Sequence, residues 1–183
     1  MDIAGRKIAI LTHNFFEQSE LEEPLKALKK AGAEVVVISA AGMKLQALNH
    51  IEKGDLFQAD LLLSDASSED YEALILPGGV VNSDKLRTNN EAQFWAIDFL
   101  QSRRTIAAIC HAPWLLVSAD LVENRRLTSY HSIKDDITNA GGQWIDRDVV
   151  VDNNLITCRT PEDMPKFIKS IIESFTQTSD HQI

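Results

Sequence analysis

Apolar positions along the chain follow two alternating rhythms. Short, nearly unbroken runs rich in β-branched residues predict buried strands at Lys7 to Thr12, Ala33 to Ser39, Tyr71 to Leu76 and Thr105 to Ile109. Between them Leu21, Leu25 and Leu28 recur at helical spacing until Gly32 stops the run. Phe94, Trp95, Ile97, Phe99 and Leu100 make a broad apolar stripe behind Asn89, a helix-capping residue. Residues 42–65 are irregular and predict short strands and a loop. Later strands are predicted at Arg126 to Ser129 and in the pair Val149–Asp152 and Leu155–Cys158, joined by Asn153-Asn154 as a tight hairpin turn. Thr160-Pro161-Glu162-Asp163 has the cap, proline and acid of a helix start. Phe167, Ile168, Ile171, Ile172 and Phe175 give that last helix its buried face, and the polar tail from Thr176 is predicted to fray.

Apolar strands alternating with amphipathic helices predict an α/β fold: a three-layer sandwich with a mainly parallel sheet and helices on both faces. Ligand sites in such folds lie beyond the carboxyl ends of the strands. Three segments fall there: His13 to Glu17, Pro77 to Gly79, and Cys110-His111. No repeat, linker or low-complexity block interrupts the pattern, so residues 1–183 are read as one domain, with a core over 6–175 and a tail over 176–183.

Composition removes several function classes. A net charge of −9 disfavours nucleic acid or an anionic membrane as partner. No segment approaches the roughly 20 apolar residues that span a bilayer. The N-terminal Met1-Asp2-Ile3-Ala4-Gly5-Arg6-Lys7 lacks the order of a signal peptide, so a cytoplasmic location is expected. Two cysteines make no disulfide framework and match no zinc spacing, and the five histidines are scattered, so neither metal nor cofactor is expected.

The chemistry concentrates at Ala108-Ile109-Cys110-His111-Ala112, a small-x-nucleophile-x-small pattern at the end of a strand. Such a pattern suits a nucleophile elbow, where the chain turns sharply from strand to helix and bulky neighbours would collide with backbone. A cysteine there sits over the first amides of the next helix, which favours thiolate. The plainer alternative is a buried core cysteine, which is the reading adopted for Cys158.

Leu11-Thr12-x-Asn14-x-Phe16-Glu17, Leu76-Pro77-Gly78-Gly79 and Ala108-Ile109-Cys110-His111-Ala112-Pro113 together resemble the PfpI-type intracellular proteases, whose superfamily includes the Parkinson's-associated protein deglycase. Leu127-Thr128-Ser129-Tyr130, Ile133-Lys134-Asp135-Asp136, Asn139-Ala140-Gly141-Gly142 and Val149-Val150-Val151-Asp152 extend the resemblance from Arg6 to Phe175. It implies a flavodoxin-like sandwich and a homodimer or larger ring. Cys110 then matches the nucleophile and Glu17 the carboxylate beside it. An ionised acid next to a thiolate would raise both pKa values, so Glu17 is expected to be protonated and to shuttle a proton. Without the resemblance, Glu17 reads as an acid favouring a helix start near Ser19.

His111 is the natural partner of the thiol, and the family's third acid, supplied across a subunit interface, is matched by Asp84. The backbone amides of Gly79 and His111 are expected to form an oxyanion hole. Gly78, His13 and His131 are candidate substrate contacts. The expected function is a cysteine-dependent hydrolase acting on a small carbonyl substrate such as methylglyoxal, or on a glycated protein or peptide, in stress protection. The alternatives are an intracellular peptidase and a non-catalytic redox sensor or holdase in which Cys110 oxidises to sulfinic acid. A glutamine amidotransferase is disfavoured, because no histidine after Cys110 is followed two places later by Glu.

Overall fold

The computed structural model describes residues 2–177. In chain order the elements are β1 (Lys7–Thr12), β2 (Phe16–Glu17), α1 (Gln18–Lys30), β3 (Glu34–Ser39), β4 (Lys44–Asn49), β5 (Glu52–Gln58), β6 (Leu61–Leu62), β7 (Ala73–Leu76), α2 (Val80–Arg87) and α3 (Asn90–Gln101). There follow β8 (Thr105–Ile109), α4 (Pro113–Ser118), β9 (Arg126–Leu127), α5 (Lys134–Asn139), β10 (Gln143–Trp144), β11 (Val149–Asp152), β12 (Leu155–Cys158) and α6 (Met164–Gln177). Seven strands form one sheet in the order β11-β12-β8-β7-β1-β3-β6. All neighbours in it run parallel except β11, which returns antiparallel through the Asn153-Asn154 turn.

Strand alternation divides the interior. Ile8 and Ile10 face one side with Leu21 and Leu28 of α1 and Phe167 and Ile171 of α6. Ala9 and Leu11 face the other, with Trp95 and Phe99 of α3 and Leu115 and Leu116 of α4. Helices thus cover both faces of a mainly parallel sheet, the architecture that the two rhythms predict.

The short strands expected over residues 42–65 are present: β4 and β5 form an antiparallel hairpin that carries β2 on its other edge, in a separate three-stranded sheet, and β6 joins the main sheet. Several other local expectations need correction. Only Arg126 and Leu127 of the strand expected at Arg126 to Ser129 are extended in a ladder, and they pair with β10 outside the main sheet. Thr128 donates its N–H to Thr157 Oγ1 instead, at 2.9 Å. Asn89 caps α3 as expected, accepting from Ala92 N at 2.9 Å, but Phe94 points to solvent and the buried stripe runs through Ala92, Trp95, Ala96, Phe99 and Leu100. Thr160 makes no side-chain cap, and Pro161–Asp163 form a single 3-10 turn before α6. Thr176 and Gln177 still belong to α6, and residues 178–183 of the predicted tail lie outside the described residues.

Candidate active site

The three suspect segments follow β1, β7 and β8, and β7 lies between the other two in the sheet, so their carboxyl ends converge. Above them opens a cleft of about 690 Å³, lined by Glu17, Glu20, His50, Ile51, Gly79, Val80, Cys110, His111, Tyr130, Ser132, Thr160, Pro161 and Glu162.

Cys110 sits on the elbow. Its φ of 63° is left-handed, a conformation costing about 1–3 kcal/mol for a side chain and held only when surroundings over-determine it. Here they do: Cys110 N–H donates to Cys158 O at 3.0 Å, Cys110 O accepts from Tyr130 N at 2.8 Å, and Ala112 N–H closes the turn onto Ile109 O at 3.0 Å. Ala108 and Ala112 are buried, as the small-residue pattern requires. The backbone amides of Gly79 and His111 both hydrogen-bond the sulfur. Gly79, at φ 87°, begins α2. Gly78 has no room for a side chain, since a Cβ would lie 2.5 Å from Glu20 Oε2 and 2.8 Å from Cys110 Cβ.

The carboxyl beside the sulfur belongs to Glu20; Glu17 does not reach it. Glu17 is the residue before α1, and its Oε2 turns away to accept from His50 N at 2.9 Å, without capping the helix. Glu20, inside the first turn, is fully buried with Leu21, Pro24 and Leu28 on the helix's inner face. Its Oε2 accepts from Gly78 N at 2.7 Å, its carboxyl engages the Cys110 thiol, and its Oε1 has no hydrogen-bond partner. Burial, reinforced by the charge of Glu17, outweighs the Gly78 amide and raises the Glu20 pKa to about 8. The neutral acid expected of Glu17 is therefore supplied one helical turn later. Spacing alone does not single it out, since Glu17 and Glu20 both fall beside the Leu21, Leu25 and Leu28 stripe; the packing of α1 turns Glu20 inward, where an acid must be neutral or partnered.

The sulfur itself departs from expectation. Burial first, and the Glu20 carboxyl second, push the Cys110 pKa up, and the two amides offset them only in part. Cys110 rests as a thiol. A helix of six residues contributes little dipole, and the cleft floor leaves the residue only 8 % exposed.

His111 Nδ1 lies 3.1 Å from Cys110 Sγ, and Nε2 lies 3.1 Å from Ser132 Oγ. Its ring stacks on Tyr130 at 4.8 Å between centroids and leans on Trp114 at 5.5 Å. Burial, with a smaller contribution from His131, lowers its pKa, so the imidazole is neutral.

The remaining candidates stand apart. Asp84 is exposed on α2, and the partner of His111 Nε2 within this chain is Ser132. His13 is not in the cleft lining; its N–H donates to Asn82 Oδ1 at 2.6 Å and its Nδ1 accepts from Asn14 N at 2.8 Å. His131 is exposed beside Tyr130, and its neighbours Tyr130 and Ser132 line the cleft in its place. Asn82 carries no signal in sequence. It is fully buried, donates to Pro77 O and Gly78 O at 2.8 and 2.9 Å, and so pins the glycine loop whose amides meet Glu20 and the sulfur. Among the described residues no group of three or more His, Cys, Asp or Glu could hold a metal ion, and no helix is long and apolar enough to cross a membrane.

Comparison with known proteins shows the family of the chain. The chain is 39% identical over 166 residues to Protein/nucleic acid deglycase 2 of Escherichia coli, covering 89% of this chain and 94% of that one. It is 37% identical over 163 residues to the Bacillus subtilis protein named "Putative cysteine protease YraA", covering 89% and 94%. Schizosaccharomyces pombe DJ-1 shares the fold with a TM-score of 0.83 at 20% identity, over 91% of this chain and 90% of that one. The model of the DJ-1/PfpI family matches residues 6–174, and the chain belongs to that family.

Proposed function

We propose that the protein is a cysteine-dependent hydrolase acting on small carbonyl compounds or their adducts on proteins, a glyoxalase or deglycase type of activity in stress protection. One observation carries this reading: a thiol at the floor of a cleft meets a neutral carboxyl, a neutral imidazole and two backbone amides. In this reading Sγ adds to the carbonyl carbon while the thiol proton passes to His111 Nδ1. The carbonyl oxygen, now bonded to a carbon attached to sulfur, lies against the amides of Gly79 and His111, which hold the developing charge. Glu20 delivers its proton to that oxygen, becomes a carboxylate, and is then poised to accept a proton from the adjacent carbon. An acid already neutral at pH 7 and lacking a partner at Oε1 suits that double duty.

The deglycase relative supports the carbonyl reading, and the relative named for cysteine proteolysis supports a peptidase as the second. Assays of the purified chain with methylglyoxal and with casein separate them. The expected result is loss of methylglyoxal, reduced at least about a thousandfold in Cys110→Ala. Equal rates in wild type and Cys110→Ala on both substrates would sink both activities.

A further inference from the structure

One polar contact in the cleft, made by the exposed Ser132, is used neither by the family resemblance nor by the proposed chemistry. The His111 ring has Cys110 Sγ at one nitrogen and Ser132 Oγ at the other, each at 3.1 Å. A neutral imidazole carries one N–H, so the nitrogen that donates leaves the other as acceptor. Only one arrangement lets the ring take the thiol proton: Nε2–H donates to Ser132 Oγ, and the bare Nδ1 faces the S–H. Stacking on Tyr130, with Trp114 tilted against the ring, fixes its plane but not which edge meets the sulfur or where the proton sits. The hydroxyl of Ser132 supplies that missing constraint.

We propose that Ser132 is a positioning residue that holds His111 in the Nε2–H tautomer, so that Cys110, His111 and Ser132 form a proton relay within one chain. The proposal rests on reading Cys110 as the nucleophile. In the relay the S–H bond breaks and an Nδ1–H bond forms, leaving thiolate and imidazolium. A hydroxyl orients the ring but carries no charge to stabilise that imidazolium, unlike the acid the family resemblance assigns to this place. The ring is faced by Cys110, with Glu20 of α1 behind it, by Tyr130 and His131 from the segment before α5, and by Trp114 of α4, over which Arg87 of α2 lies at 5.0 Å. Burial and His131 both disfavour a charged ring. The proton therefore stays on sulfur at rest and leaves as the sulfur bonds to its target.

The test is the rate of Cys110 alkylation by iodoacetamide between pH 5 and 10 in the full chain, followed by peptide mass spectrometry. Wild type is compared with Ser132→Ala, Ser132→Thr and Ser132→Asp. Ser132→Ala should react about fivefold more slowly near neutrality, the population cost of one neutral hydrogen bond, and Ser132→Thr should restore the rate. Ser132→Asp should move the rise of the profile to lower pH by about one unit or more, because a carboxylate at Nε2 stabilises the imidazolium. A Ser132→Ala profile superimposable on wild type overturns the relay. So does an equal slowing in all three variants with the shape unchanged, which marks a purely structural role. Alkylation is read without turnover. Inactivity of wild type on carbonyls with the Ser132 series still shifted would remove the proposed function and keep the relay. Cys110-dependent turnover with an unmoved series would do the reverse.

Discussion

Two cysteines close neighbouring strands of the same sheet, and they meet opposite surroundings. Cys158 is the last residue of β12 and pairs with Ile109; Cys110 follows Ile109 and donates its N–H to the carbonyl of Cys158. Both belong to the same apolar cluster, and burial raises both thiols, Cys158 to about 12. Burial and pKa direction alone do not distinguish them. What differs is the company of the sulfur. Cys158 is wholly buried; its S–H reaches the carbonyl of Thr160, at 3.7 Å, and the backbone amides of Arg159 and Thr160 reach its sulfur. Cys110 also has two amide donors, but it opens to a cleft and has an imidazole proton acceptor and a neutral acid beside it. A reactive thiol is thus defined by where its proton can go and where the charge can settle, more than by a low resting pKa.

The sharpest way to break that contrast is to remove the acid. Glu20→Gln keeps the size and an acceptor for the Gly78 amide but cannot release and regain a proton. Carbonyl turnover should fall about a hundredfold or more in Glu20→Gln. Glu17→Gln, whose carboxylate is held by the His50 amide, should change it by less than about tenfold. Kinetics of the two variants side by side decide which acid serves the sulfur, and the reverse order would return the role to Glu17.

The contrast between these two acids also marks how far the residues alone carry the argument. Alternation and helical spacing place every strand of the main sheet except the two-residue edge β6, together with the capped helix at Asn89, because those elements are set by the burial of their own side chains. The alanines flanking Cys110, both buried, and the glycines at 78 and 79, where a Cβ would come within 3 Å of its neighbours, are legible as small-residue patterns. Glu20 and Ser132 were set by distant neighbours. Glu17 and Glu20 differ by one turn of helix, and only the packing of α1 on the sheet decides which faces inward. Ser132 matters because a 3-10 turn, His131–Ile133, lays it over a ring in another element. The resting protonation of Cys110 is a third such case, since desolvation depends on how much of the cleft roof closes over it.

A second comparison uses pH in place of substitution. Glu20 has a folded pKa of about 8, raised from its ordinary value of 4.5 by burial. Between those limits the folded chain holds a proton that the unfolded chain has lost. Its stabilising contribution is complete below about pH 4.5 and drains as pH rises towards 8, with a slope of up to about 1.4 kcal/mol per pH unit. Glu20→Gln lacks this proton. Urea denaturation of the two proteins at pH 5, 7 and 9 should show the variant gaining on wild type at each step, and parallel stability curves would contradict a buried neutral acid.

The smallest expected effect falls on the other cysteine. Cys158→Ala removes one buried sulfur from well-packed surroundings and leaves its neighbour's donors and acceptors in place. It should cost about 1 kcal/mol of folding stability, in the range of a small core truncation. Its carbonyl turnover should match wild type, because the hydrogen bond from Cys110 N–H to Cys158 O that holds the elbow is made by backbone, which alanine retains. A loss of turnover larger than the loss of stability would mean that the second sulfur takes part in the chemistry. The division between one working thiol and one packing thiol would then fail, even with the fold intact.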